Sequence, residues 1–154
     1  FDISINGQYV GRLVFRLRED VVPRTVQNFM QLCTAPAGTG YRGTAFHTVE
    51  SDVSQTNSSG GRSIWGGHFP DENHQLLFTG RGNLAMNSTS PNQNGSQFFI
   101  TLCRDPIRLA HINRRHVVFG SVVSGWPVLD TIEACGSATG GPNRAIVITN
   151  CGVL

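Results

Sequence analysis

Cys103, His111 and His116 share one stretch of the chain and carry two kinds of metal-ligating atom. Their spacing is irregular and no carboxylate supports them, so no metal is expected. Glu50 and Asp52 are close in sequence, but on a strand or loop rim they read as solvated acids rather than an acid–base pair. No nucleotide-binding loop or catalytic triad is present, and no cofactor is expected. The four cysteines (Cys33, Cys103, Cys135, Cys151) contain no C-x-x-C pair and read as buried free thiols. Two features are left that could do chemistry. One is the basic cluster Arg104, Arg108, Arg114 and Arg115, either a solvated loop face or a patch for an acidic partner. The other is "AFHTVESDVSQTN" (Ala45–Asn57), which opens as a strand and turns polar between apolar neighbours.

The elements that must position these residues are mostly short strands. Phe1–Ile5 and Arg12–Leu17 alternate apolar and polar residues around "NGQ", the pattern of a hairpin. "DVVPRTVQNFMQLC" switches to helical spacing, with Pro23 in its first turn and Val26, Phe29, Met30 and Cys33 on one face. A Gly-rich loop (Ala37–Gly43) leads to a strand at Thr44–Val49. Further strands are read at Asn83–Met86, Gln97–Thr101 and Val117–Val123, and "RAIVITNCGVL" closes the chain as another. "GWPVLDTIEACG" reads as a second helix stopped at Gly136. Many short strands with two helices predict an antiparallel barrel or sandwich.

A length of 154 residues fits one domain, expected to span 1–154, to be monomeric and to come from a longer protein. With 39% apolar and only 14% charged residues, the chain is folded rather than disordered. All the basic residues are arginine, but a net charge of +2 is too small to argue for nucleic acid. No apolar run is long enough to span a membrane. No signal peptide precedes the first strand pattern, so an intracellular location is expected, though the compartment is not legible. Three N-x-S/T matches, at Asn57, Asn87 and Asn94, would matter only in a secreted protein.

"VPRTVQNFMQLCT", "GYRGTAFH", "SGGRSIWG", "FPDEN", "NGSQFFIT", "HVVFG" and "ITNCGVL" occur in order along nearly the whole chain. In these motifs it resembles a cyclophilin domain. The resemblance implies an eight-stranded antiparallel barrel capped by two α-helices and peptidyl-prolyl cis/trans isomerase activity. It also implies binding of extended proline-containing segments and often of cyclosporin. An Xaa–Pro bond isomerises over tens of seconds because amide resonance must be broken at a barrier near ~20 kcal/mol. The family's solution is an Arg that donates toward the prolyl nitrogen, whose lone pair is free only when conjugation is lost.

Carried over residue by residue, the pattern is altered at its centre. After Phe46 and His47, Thr48 stands where the catalytic Arg belongs. Val53 and Ser54 stand where the pocket's Phe and Met belong, and Gln55 is the candidate for the family's Gln. The chain is shorter than the pattern before "SSGG", so a piece of strand and loop is expected to be missing. Asn87, Ser88 and Thr89 replace a smaller Ala-Asn-Ala rim. Gln97, Phe99 and His116 match the family's groove Gln, pocket Phe and site His. Each also has a plainer reading, as a turn residue, a core aromatic and a structural imidazole. The loop between them holds no Trp; Leu109 and His111 are the nearest candidates for the family's Trp-Leu pair, so cyclosporin binding should be weak or absent.

Three functions are compatible with these residues. The first is a proline-peptide-binding or scaffolding module with weak or absent isomerase activity. The second is an active isomerase assisting protein folding, in which Arg62, Arg108 or Arg114 replaces the missing donor. The third is a structural cap without a ligand.

Overall fold

Asn6 and Gly7 take up left-handed backbone, with φ of 50° and 81°. That is the two-residue turn whose twist matches paired strands, and it needs residues that tolerate positive φ at both positions. It joins β1 (Asp2–Ile5) to β2 (Gln8–Arg12), with Ile5 opposite Gln8. The computed structural model describes residues 1–49, 53–57, 61–88, 90–137 and 141–154, with backbone alone at 48 and 53–57. The predicted strand Arg12–Leu17 is divided: β2 ends at Arg12, and β3 (Val14–Leu17) follows buried Leu13.

The remaining strands are β4 (Ala45–Val49), β5 (Val53–Asn57), β6 (Asn83–Met86), β7 (Phe98–Thr101), β8 (Val118–Ser124) and β9 (Ile146–Asn150). They form a mainly antiparallel sheet in the order β2-β1-β9-β4-β5-β7-β6-β8-β3. The two ends of that order, β2 and β3, are consecutive in the chain through Leu13. Taken as one bent strand they make the predicted eight. The polar stretch nevertheless contributes a strand, while residues 50–52 and 58–60 on either side of it lie outside the described residues. β5 is a full strand, laddered to β4 on one side and β7 on the other. Its backbone groups are paired on both sides, so it does not depend on apolar side chains to be a strand.

Helix α1 (Pro23–Thr34) buries Thr25, Val26, Asn28, Phe29, Leu32 and Cys33, one face at helical spacing. Val22 provides no side-chain cap. The Glu72 carboxylate does so from across the fold, accepting from the backbone N–H of Arg24 (3.0 Å) and Thr25 (2.9 Å) and from the Thr25 hydroxyl (2.9 Å). Negative charge at the positive end of the helix adds to those bonds. The "FPDEN" motif is therefore a helix cap as well as a loop.

Helix α3 (Trp126–Ala134) follows Gly125, whose φ of 93° and closeness to the Arg12 carbonyl leave no room for a Cβ. Between the predicted helices lies a third helical piece, α2 (Pro106–Leu109), continued by a 3-10 turn at Ala110–Ile112. It is too short to show a helical period in sequence. No helix among the described residues is long and apolar enough to cross a membrane.

Arg81 ties the turn before β6 to α3. Its side chain is only 9% exposed and donates to Asp130 (2.7 Å) and Glu133 (2.9 Å). Asp130 is well exposed, so solvent screens much of the pair. Arg81→Met is expected to lower stability by about 1 kcal/mol in urea unfolding. No measurable change would show that α3 is held by packing alone.

The strands alternate between two apolar layers. Phe98 and Ile100 of β7, Leu84 and Met86 of β6 and Phe119 of β8 enter the main core beside α1. Phe99, Ala85 and Val118, on the intervening positions, belong instead to a second cluster with Phe78, Cys103 and Leu109.

Candidate functional site

The second cluster is where the sheet brings predicted site residues together. Pairing aligns Thr48 with Gln55, Gln55 with Phe99, Phe99 with Ala85 and Ala85 with Val118. Thr48, Gln55 and Phe99 thus stand in one row across β4, β5 and β7, although the chain separates Thr48 from Phe99 by half a hundred residues. A register irregularity at His47, between Phe46 and Thr48, sets this alignment. Ser54 stands in the next row, with Val49, Ile100 and Leu84, all of which are core residues. Val53 is opposite Thr101. Of the rim, Asn87 and Ser88 follow β6 and are half-buried, while Thr89 lies outside the described residues, as do Glu50 and Asp52.

Phe99 is only 3% exposed. Phe78 stacks on it at 5.8 Å between centroids, 15° between planes. The His116 ring meets its edge at 5.2 Å and 89°. Phe99 is therefore a packed aromatic, the plainer of the two readings the sequence offered. Gln97, half-buried, precedes β7, and its backbone carbonyl accepts from the N–H of Asn87 at 3.0 Å. That bond joins the predicted rim to the strand that carries Phe99.

His116 is anchored by Nδ1, which donates to the Met86 carbonyl at 3.0 Å and leaves Nε2 as the remaining ring nitrogen. Burial holds its pKa below the ordinary value, and the Met86 bond only partly opposes this. The neutral ring is thus the folded state's preference. A lowered folded pKa contributes stability that is complete above the ordinary value near 6.5 and is lost as pH falls below it. Denaturation followed from about pH 7.5 to about pH 5 should show stability falling, with a shallower fall in His116→Gln. Equal slopes in the two proteins would show that His116 does not carry the effect. His47 is shifted the same way by burial, so the variant is to be compared with the unaltered chain rather than with a flat line.

Leu109 is buried in the same cluster, and Ile112 packs against it. His111 is exposed, with Nδ1 at 2.8 Å from the Arg108 carbonyl. The short helix α2 is what places Leu109: Asp105 caps it by accepting from the Ile107 N–H at 2.9 Å, and Pro106 sits in its first turn. Cys103 bonds to the Asp105 carbonyl at 3.5 Å, so Cys103, His111 and His116 each face a backbone carbonyl. Arg62 is elsewhere. It lines a cavity of about 470 Å³ at the C-terminal end of α1, with Leu32, Ala35, Ser63, Ile64 and Ser96, and none of these belongs to the Phe99 cluster.

Two contributors were not read from the sequence. Phe78 lies in irregular chain with no period to mark it as facing Phe99. Asn113, whose side-chain oxygen accepts from the Phe78 N–H at 2.8 Å, fixes that stretch against the loop. A polar side chain serving a backbone group 35 residues away leaves no local signal.

This arrangement offers an aromatic floor, a neutral imidazole beside it, and a neighbouring strand pair with Thr48 and Gln55 at its level. Comparison with known proteins identifies the family. The family described as cyclophilin type peptidyl-prolyl cis-trans isomerase/CLD matches residues 1–153. A peptidyl-prolyl cis-trans isomerase of Encephalitozoon cuniculi (strain GB-M1) is 42% identical over 163 residues, covering 100% of this chain and 92% of its own. The chain belongs to the cyclophilin-type peptidyl-prolyl cis-trans isomerase family.

Proposed function

We propose that the chain binds proline-containing segments across the Phe99–His116 face and isomerises them weakly or not at all. The observation that carries this reading is the row Thr48–Gln55–Phe99. The position that in the family supplies the Arg donor stands level with the aromatic floor, and here it is a threonine. Without that donor the lone pair that develops on the prolyl nitrogen has no charged partner, and loss of one such donor costs about 10²–10³ in rate. Binding does not need the donor: half-buried His116, packed on the Phe99 cluster, is the proposed contact for an apolar ring. Asn87, Ser88, Thr89 and Gln97 are proposed as the rim that meets the peptide backbone, with Val53, Ser54 and Gln55 lining the β5 side. Weak or absent cyclosporin binding and a monomeric domain of residues 1–154 belong to the same proposal.

The competing reading is an active isomerase with a substitute donor. Arg108 is favoured over Arg62 in that role, because it directly precedes Leu109 in α2, whereas Arg62 borders a different cavity. NMR exchange spectroscopy on an Xaa-Pro peptide separates the two. Shifts at Phe99 and His116 without cis–trans exchange peaks support the binding module. Protein-dependent exchange peaks that vanish in Arg108→Gln establish the substitute, and silence at both sites removes the peptide-binding reading.

A further inference from the structure

The loop from β7 to β8 carries Arg104, Arg108, Arg114 and Arg115 against a single acid, Asp105. The Asp105 carboxylate is already committed to the start of α2, where it accepts from Ile107 N–H. All four arginines are exposed. Among the described residues, Arg104, Arg114 and Arg115 enter no ion pair, whereas Arg12, Arg18 and Arg81 each do.

The loop is also fixed in place. Leu109 and Ile112 are held at the Phe99 cluster, and Asn113 is bonded to the Phe78 backbone. Arg114 takes φ of 64°, a left-handed position that a bulky side chain rarely adopts, so the turn holds it in an unusual backbone state. Arg115 directly precedes His116, and its charge is one of those acting on that ring. A cationic rim of Arg104, Arg114 and Arg115, in no ion pair among the described residues, is therefore anchored beside the Phe99 cluster rather than on a free-swinging loop. Fixed charges of one sign at the edge of a site select ligands of the opposite sign.

We infer that the preferred ligand is a proline-containing segment with acidic residues flanking the proline, so that the acidic partner and the proline ligand are one chain. The inference rests on the proposed proline-peptide binding. Its test is an affinity series on three otherwise identical Ala-Pro peptides flanked by two Glu, two Ser or two Lys. The Glu peptide is expected to bind about three- to tenfold tighter than the Ser peptide at about 20 mM salt, the scale of one or two exposed ion pairs. Most of that preference should disappear at about 0.5 M salt, where screening is within a few ångströms. The triple variant R104Q/R114Q/R115Q should lose the preference. The charge-matched triple R16Q/R42Q/R144Q, on exposed positions elsewhere, should keep it. Equal affinity for the Glu and Ser peptides, or equal loss in both triple variants, overturns the inference and leaves proline binding intact. No binding of any peptide overturns both.

Discussion

Thr48→Arg alone is expected to raise kcat/KM on an Xaa-Pro peptide by less than about tenfold, well short of the 10²–10³ that one well-placed donor is worth. A donor acts only when it meets the developing lone pair within hydrogen-bond reach, in a substrate already held in that pose. Position 48 stands at the level of Phe99, so a guanidinium introduced there starts from the right row. What is altered is the rest of the frame. In the proposed reading Val53 and Ser54 replace two larger apolar residues of the family pattern, and Ser54 stands in the row of Ile100 and Leu84 rather than that of Phe99. Phe78 is already stacked on the floor. The proline ring would sit loosely, and an ångström of misplacement is enough to cancel a donor. The measurement is kcat/KM for the unaltered chain, Thr48→Arg, and Thr48→Arg combined with Val53→Phe and Ser54→Met. A gain of a hundredfold or more from the single change would show that the floor is intact and that only the donor is missing.

Phe29→Ala should cost about 3–5 kcal/mol, a large part of the 5–15 kcal/mol that holds a domain folded. Phe29 is fully buried on the inner face of α1 and has five ring neighbours: Phe1, Phe15, Tyr41, Phe98 and Phe119, at centroid distances of 5.0–6.4 Å. Truncation leaves a hole among groups that strand pairing holds apart, so the cavity cannot close. The site is exposed to this loss, because Phe98 is the inward neighbour of outward Phe99 on the same strand. Urea unfolding at 25 °C gives the number, and peptide titration of the folded fraction shows whether the floor survives. A cost below about 1.5 kcal/mol would mean that the core collapses around the gap.

Where local chemistry specifies an element, it is legible. Asn6–Gly7 announces the first hairpin, Pro23 with helical spacing announces α1, and Asn83–Met86 is found at its predicted bounds. The polar strand β5 was not legible, because its side chains carry no alternation and its strand state comes from ladders to β4 and β7. The Glu72 cap on α1 was hidden for the same reason, acting across 47 residues. So were Phe78 on Phe99 and Asn113 on Phe78.

The sequence by itself determined the family and most of the strands and the two longer helices. These depend on residue identity in order along the chain. Only the tertiary structure decided that Phe98 faces the main core while Phe99 faces the second cluster, and that Thr48 and Gln55 stand level with Phe99. It also decided that the arginine loop is pinned beside His116 by Leu109. Alternation says that neighbours point to opposite sides but not which side is inside. That choice is made by whichever face packing and strand register bury.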